Sequence, residues 1–297
     1  MKQGVFLSVF SSFLFAALYF YATLLHPLTG LSIFAWRVVL AVPVLALLLS
    51  RARSWKTVHE IHQRLRKEWK LWVLMLVSGA LLGVQLFLFM WAPLHGYGLD
   101  VAMGYFLLPL TMVVAGRVFY GERLSRFQRA AVFMAVIGVS HELLRVGAFS
   151  WATAVVMFGY PPYFMLRRYL RMNALAGLWF DMLLLTPVAL WLLFKQDVSV
   201  LEQFLGRPSL WALVPLLGVI SSTALVCYLA ASRRLPLSLF GILGYVEPVL
   251  LFWVAFLLLG EPVTLASLGT YIPIWLAVLI MAVEGVIAWR KKGSVPV

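Results

Sequence analysis

The stretch that decides the fold is Pro109–Glu122, PLTMVVAGRVFYGE, which returns 139 residues later as PVLLFWVAFLLLGE at Pro248–Glu261. In both copies eleven residues separate the proline from a Gly-Glu pair. Further matches support the same register: Leu71-Trp72 with Leu210-Trp211, Gly79 with Gly218 and, at a shift of 144, Pro43 with Pro187. The sequence therefore predicts two copies of one unit, in residues 1–145 and 146–297.

The composition indicates an integral membrane protein. Of the 297 residues, 63% are hydrophobic and 12% are charged, and the mean hydropathy is +0.97. Soluble domains are about half apolar and a quarter charged, so a soluble enzyme, a disordered chain and a fibrous repeat are excluded. About 20 apolar residues cross a bilayer, and ten such segments follow one another: 4–24, 31–50, 70–91, 99–117, 127–145, 148–167, 173–194, 209–231, 236–259 and 264–288.

The helix count fixes how the two copies would relate to each other. Five helices per copy is an odd number, so the second copy would insert in the opposite orientation to the first. The predicted fold is an all-α membrane protein with ten transmembrane helices in two inverted five-helix repeats. This plan is common among secondary transporters, which hold their substrate near the bilayer midplane between the repeats.

The basic residues predict the orientation. If the N-terminus is cytoplasmic, twenty Lys and Arg lie on that side, three lie on the other, and Arg37 lies within a segment. Such asymmetry places both termini in the cytoplasm. The net charge of +13 is spread over short loops, which argues against nucleic acid as a partner. In the loop 51–69, Trp55, Val58, Ile61, Leu65 and Trp69 recur at helical spacing, which indicates an interfacial helix on anionic lipid or else a solvated loop.

Several motifs resemble a known family. They are LDVAMGYF at 99–106 with Pro109, Gly121-Glu122-Arg123 and AVIGV at 135–139, and together they resemble the EamA repeat of the drug/metabolite transporter superfamily. Within it, Gln3-Gly4-Val5, Arg37 and Phe89-Met90-Trp91-Ala92 are similar to the RarD-like permeases. The resemblance covers nearly the whole chain and is strongest over 70–140. It implies a ten-helix transporter of small molecules in the bacterial cytoplasmic membrane, with no settled substrate.

Glu247 is the first candidate site residue, because ionisable groups inside a membrane are costly and mark functional sites by default. It lies roughly 16 Å into the ninth segment, directly before Pro248. A proline cannot donate a backbone hydrogen bond, so the carbonyl of Gly244 would be freed beside this carboxyl group. Glu247 is interpreted as a proton or cation site; the alternative is a protonated glutamate bonded to a neighbouring helix.

Arg37 and Asp181 are the second candidate site. Asp181 lies roughly 12 Å into the seventh segment, and Arg37 is its counterpart under the shift of 144. In an inverted repeat the two positions are related by pseudo-symmetry. We expect them to form an ion pair across the central cavity that closes one gate, and direct contact with the substrate is the alternative.

The remaining candidates are polar groups and prolines. Gln85 and Tyr105 could hydrogen-bond a substrate or could link two helices. Pro161-Pro162 predicts a break in the sixth segment that frees the carbonyls of Met157 and Phe158, as a hinge, an irregular cavity wall or a simple kink. With Pro109 and Pro248, these two prolines form the set of predicted hinges.

No cofactor is predicted. Cys227 is the only cysteine, and His59 and His62 lie on the predicted interfacial loop without further ligands, so no metal site is expected. No ATP-binding motif is present. The sequence predicts a secondary transporter, not an enzyme, that exports a small organic metabolite or drug by alternating access and is coupled to protons through a buried carboxyl group. The alternatives are an intramembrane enzyme and a non-transporting membrane scaffold.

Overall fold

A computed structural model describes residues 2–92, 97–147, 150–195, 200–258 and 265–293. Within these ranges every regular element is an α-helix and no strand occurs. The thirteen helices, in chain order, are α1 (Lys2–Thr23), α2 (Gly30–Arg51), α3 (Trp55–Lys67), α4 (Trp69–Trp91), α5 (Gly98–Tyr120), α6 (Arg126–Val146), α7 (Trp151–Tyr169), α8 (Ala174–Phe194), α9 (Val200–Gly206), α10 (Leu210–Arg234), α11 (Leu237–Leu243), α12 (Val246–Leu258) and α13 (Leu265–Gly293).

Nine stretches of the described residues are long and apolar enough to cross a membrane. They coincide with nine of the ten predicted segments, and the ninth of those segments combines α11 with α12. The sixth predicted segment, 148–167, holds α7, which is a helix of 19 residues but is not among the nine. Two prolines and the adjacent Arg167 and Arg168 lower its apolar content.

The helices pack into one bundle. The principal neighbours are α1 with α10 and α12, α2 with α8 and α10, α4 with α7 and α8, α5 with α7 and α11, and α6 with α13. Large apolar side chains cover the outside, where Phe6, Phe133 and Phe194 are exposed, as expected for a surface solvated by lipid. The ends of α5, α7 and α10 meet, because Arg168 of α7 lies 3.7 Å from Glu122 and donates to the carbonyls of Ser232 and Leu235. The helix α3, which follows α2, contacts the turn after α7. We call this side the basic face and the other side the opposite face.

α3 lies at the basic face and is amphipathic. Its buried residues Val58, Ile61 and Leu65 recur every three or four positions, and its other side is polar and exposed. The predicted helix in the loop 51–69 is therefore confirmed. It ends at Lys67, and Trp69 belongs to α4 and is 70% exposed, so Trp69 does not continue the apolar stripe.

The ninth segment is interrupted, whereas a continuous helix over 236–259 was expected. α11 ends at Leu243 and α12 begins at Val246, with Gly244 and Tyr245 between them. Pro248 cannot donate to the carbonyl of Gly244, which instead accepts from the backbone N–H of Glu247 at 3.3 Å. The break therefore lies just before the predicted hinge at Pro248.

The other prolines do not interrupt their helices. Pro109 lies within α5, and Pro161 and Pro162 lie within α7, which runs on to Tyr169. The predicted break at Pro161-Pro162 is wrong, since α7 continues through both prolines. Of the two carbonyls that these prolines leave without a helical partner, that of Met157 accepts from Thr111 Oγ1 on α5 at 2.8 Å. A satisfied carbonyl removes the reason for the helix to open there.

Candidate functional site

Arg37 and Glu247 lie deep in the bundle and keep accessible surface. Arg37 is roughly 10 Å along α2 from the opposite face, and Glu247 is roughly 15 Å along the interrupted span from the basic face. They interact electrostatically with each other. Among the described residues no direct ion pair joins them. The Arg37 Nε–H donates to Ser221 Oγ on α10 at 2.9 Å.

Three tyrosines complete this group, which we call the central cluster: Arg37, Tyr105, Tyr160, Tyr228 and Glu247. The hydroxyl groups of Tyr105 and Tyr160 are 3.3 Å apart, and both interact electrostatically with Arg37. Tyr105 and Tyr228 are partly exposed although they lie within the bundle. Partial exposure at this depth requires space for a water-sized molecule beside these side chains, so the central cluster lines interior space of at least that size.

Stacked and edge-on aromatic rings form the wall beside the central cluster. The ring centroids of Tyr160 and Phe164 are 6.1 Å apart, those of Phe164 and Tyr228 are 5.5 Å apart, and those of Tyr228 and Phe240 are 4.8 Å apart. Phe15 on α1 adds an edge contact to Tyr228. This arrangement combines one positive group, one negative group and an aromatic surface, a combination that suits an organic solute carrying polar groups.

Asp181 belongs to a separate, fully buried site near the basic face. Its Oδ2 accepts from Arg167 Nη1 at 3.2 Å and from the Tyr163 hydroxyl at 3.3 Å, both on α7. Arg167 also donates to the backbone carbonyls of Asn173 and Ala174, at 3.4 and 3.3 Å, so it closes the turn between α7 and α8. Asp181 Oδ1 is buried with no hydrogen-bond partner in the described residues.

The expected ion pair between Arg37 and Asp181 is therefore wrong. Both residues lie about 10 Å into their helices, but α2 enters from the opposite face and α8 from the basic face. In a hydrocarbon layer about 30 Å thick, this places the two side chains about 10 Å apart in depth. A match along the sequence does not make two positions adjacent, and each residue has a different partner: Ser221 for Arg37 and Arg167 for Asp181.

Of the two other polar candidates, Gln85 and Tyr105, only one belongs to the central cluster. Gln85 is buried and its Nε2 donates to the carbonyl of Val155 at 2.8 Å, so it links α4 to α7 outside the central cluster. Tyr105 belongs to the central cluster. No group of His, Cys, Asp and Glu among the described residues could hold a metal ion.

A further polar contact joins the two halves of the chain at the basic face. The Glu122 carboxylate, from the turn between α5 and α6, accepts from the backbone N–H groups of Leu237 and Ser238 at 2.6 and 2.7 Å. It thus caps the N-terminus of α11, where a negative charge is favourable. Arg168 lies 3.7 Å from Glu122 and donates to the carbonyl of Leu235 at 2.6 Å.

Sequence reasoning missed five residues of these sites. They are Glu122, Tyr160, Arg167, Ser221 and Tyr228. Only Glu122 carried a signal, since it ends the repeated Gly-Glu motif. Arg167 was counted as an orientation charge of a loop, and the tyrosines are indistinguishable in sequence from the other aromatic residues of the spans.

The comparisons with known proteins point to one family. No family model matches the chain. The chloramphenicol-sensitive protein RarD of Pseudomonas aeruginosa is 48% identical over 98% of this chain and 97% of its own length. An uncharacterized transporter of Haemophilus influenzae is 38% identical over 98% of this chain and 97% of its own length.

More distant relatives agree with them. Protein RarD of Salmonella typhi is 31% identical over 98% of both chains. A solved crystal structure superposes with a TM-score of 0.71 over 96% of this chain and 98% of its own; at 18% identity it speaks for the fold alone. The apolar helices, the charged interior and these relatives agree with one another. The chain belongs to the RarD family of membrane transport proteins.

Proposed function

We propose that the chain is a secondary transporter that exports a small organic metabolite or drug across the bacterial inner membrane by alternating access. The observation that carries this proposal is the central cluster, in which Arg37 and Glu247 carry opposite charges, face accessible space and are not paired directly with each other. A solute that replaces water at both groups recovers their desolvation cost through charge-assisted hydrogen bonds.

Alternating access would use two inverted repeats, 1–145 and 146–297. In this proposal α7 also crosses the membrane, as the sixth span in chain order, and brings the number of spans to ten. The packing supports this proposal because the contacts come in matched pairs. Under the repeat, α1, α2, α4, α5 and α6 correspond to α7, α8, α10, the α11–α12 span and α13. When each helix is exchanged for its counterpart, the pair α1–α10 becomes α4–α7, α2–α10 becomes α4–α8, and α1–α12 becomes α5–α7. The pairs α2–α8, α5–α11 and α6–α13 match themselves.

Individual residues follow the same exchange. A side chain added at Gly218 would meet Leu40, and one added at Gly79 would meet Leu184. The shift of 139 relates Gly79 to Gly218, and the shift of 144 relates Leu40 to Leu184, so the two contacts are equivalent under the repeat. The Tyr245 hydroxyl donates to the carbonyl of Phe106, which is 139 residues earlier, at 3.1 Å. α5 and the interrupted span would therefore cross on the pseudo-twofold axis, beside the central cluster.

The Arg167–Asp181 pair is the proposed lock on the basic face. It joins α7 to α8, and under the proposed repeat these helices are the first two of the second half. The short turn between α7 and α8 keeps the two helices together at this face, so opening the face would move them as one hairpin. Water that enters beside the hairpin would compete for the hydrogen bonds of the pair. Asp181 thus keeps the gating role expected from the sequence, with Arg167 as its partner instead of Arg37.

Proton coupling would use Glu247, the carboxyl group of the central cluster. Protonation removes the negative charge opposite Arg37 and so changes the affinity for a charged solute between the two sides of the membrane. Both termini would lie in the cytoplasm, and α3 would rest on anionic lipid of the inner leaflet. An intramembrane enzyme would need a nucleophile or metal at the cluster, and a scaffold would need no charge there.

The test compares the media of cells that express the wild type, Arg37→Gln or Glu247→Gln at matched protein levels, by untargeted metabolite profiling. Arg129→Gln and Glu284→Gln are the matched controls, because they make the same changes outside the central cluster. A solute that accumulates outside with the wild type and both controls, but not with either cluster variant, supports export. Equal profiles in all five strains contradict it.

Two further measurements address substrate and coupling. Chloramphenicol, which appears in the name of the Pseudomonas aeruginosa relative, is the first drug to test, by its accumulation in the same strains. For a solute found in either way, efflux from proteoliposomes should respond to an imposed pH gradient in the wild type and not in Glu247→Gln. Equal responses in both proteins would exclude Glu247 as the coupling group.

A further inference from the structure

A cavity of about 590 Å³ opens on the side of the bundle at the basic face, outside the central cluster. It lies between α3, α4 and α8 and is walled by Trp55, His59, His62, Trp72, Trp179 and Leu183, among others. Trp55 packs edge-on against Trp179 with ring centroids 5.6 Å apart, and His62 packs edge-on against Trp72 at 6.4 Å. The lining is therefore aromatic and apolar.

One polar atom in this wall has no partner. Trp179 Nε1 is buried and makes no hydrogen bond within the described part of the chain. The neighbouring Trp55 differs, because its Nε1–H donates to Ser50 Oγ at 2.8 Å. Because this atom has almost no accessible surface, a molecule in the cavity does not reach it. A bound molecule would instead contact the apolar wall and the charged groups at its edge.

A stripe of basic and titratable side chains continues from the cavity along α3. His59, His62 and Arg66 follow at three- and four-residue intervals, so they share one side of the helix, and all three are exposed. Arg66 lies one turn beyond the part of α3 that lines the cavity. A positive group beside an apolar pocket at the membrane surface favours an amphiphile with a negative headgroup.

We propose that this cavity binds an anionic phospholipid. The acyl chain occupies the apolar wall, and the phosphate lies against Arg66 and the two histidines. The inference rests on the proposed position of α3 at the membrane surface and does not depend on transport or on the central cluster.

The bound lipid would act on the Arg167–Asp181 lock through α3. Ile61 and Leu65 pack in one apolar cluster with residues of the turn between α7 and α8. Arg64 Nη2 also donates to the carbonyl of Leu170 in that turn, at 3.4 Å. A lipid that fixes α3 against α8 therefore stabilises the turn that holds the lock closed.

The experiment measures lipid that copurifies with the full chain, by native mass spectrometry, after exchange into nanodiscs that contain equal amounts of phosphatidylglycerol and phosphatidylcholine. Leu183→Trp fills the cavity, and Leu190→Trp makes the same change on α8 two turns away. Arg66→Gln removes the headgroup charge, and Arg126→Gln removes a matched charge elsewhere on the basic face.

We expect the wild type to retain phosphatidylglycerol in preference to phosphatidylcholine. Leu183→Trp should lose it while Leu190→Trp keeps it, and Arg66→Gln should weaken retention about fivefold while Arg126→Gln changes nothing. Equal retention of both lipids by the wild type, or equal retention by both tryptophan variants, overturns the proposal. Retention of detergent or neutral lipid in the cavity does so as well.

Discussion

The buried pair between Arg167 and Asp181 allows a quantitative test of what closes the basic face. Only 3% of the Arg167 side chain and none of the Asp181 side chain are exposed, and the N–O distance is 3.2 Å. Asp181→Leu removes the negative charge and leaves the guanidinium group buried. Arg167→Met leaves the carboxylate buried instead, and the combination of Arg167→Met with Asp181→Leu removes both charges.

Removing one partner of a buried pair costs about 3–5 kcal/mol, because the other charge is left uncompensated. Arg167 keeps its bonds to the carbonyls of Asn173 and Ala174, so we expect Asp181→Leu to lower the free energy of unfolding by about 3 kcal/mol. Replacement of both charges by apolar residues of similar volume is often neutral, so the double variant should be more stable than either single variant. Tyr163→Phe should cost only about 1 kcal/mol.

The assay is equilibrium unfolding of the wild type, both single variants and the double variant in detergent micelles, analysed as a double-mutant cycle. A coupling free energy of about 2 kcal/mol or more between Arg167 and Asp181 is expected. Additivity within about 0.5 kcal/mol would show that the two charges do not stabilise each other. It would refute both the proposed lock and the burial argument behind it.

Three further changes test other contacts by the same unfolding measurement. Glu122→Ala should cost about 1–2 kcal/mol through loss of the cap on α11, and a smaller loss with Glu122→Gln would separate the hydrogen bonds from the charge. Gly218→Val should cost about 1–3 kcal/mol, since a Cβ there would lie 2.6 Å from α2; Gly285→Ala, where the space is open, is the control. Thr111→Val should cost about 1–3 kcal/mol by leaving the Met157 carbonyl unpaired, and an unchanged stability would mean that α7 satisfies it in another way.

Most of the fold could be predicted because a membrane limits the choices. Without water in the hydrocarbon layer, each spanning stretch must satisfy its own backbone, so apolar length alone indicates helices such as α2 and α4. The same rule explains the error at Pro161-Pro162. Sequence shows that the proline removes a bond, but only the packing shows that Thr111 replaces it.

The site was only partly predictable, because depth and partner are properties of the packed helices. Glu247 and Arg37 were found since charges inside apolar runs are conspicuous. Their association with Tyr160 and Tyr228 was not, because no sequence pattern marks which aromatic rings face the interior. The expected pairing of Asp181 with Arg37 is wrong, because a shift along the sequence identifies residues at matching positions of the two copies. It does not show that these residues touch.

The cap that Glu122 supplies to α11 has a consequence for biogenesis. α11 has seven residues, and its start is completed by a residue made more than a hundred positions earlier. Synthesis proceeds from the N-terminus, so the carboxylate is already in place when α11 leaves the ribosome. A circularly permuted gene that encodes the second half first would reverse that order, and the ninth span would then have to wait at the membrane, with its N-terminal amide groups unpaired, until its cap is translated.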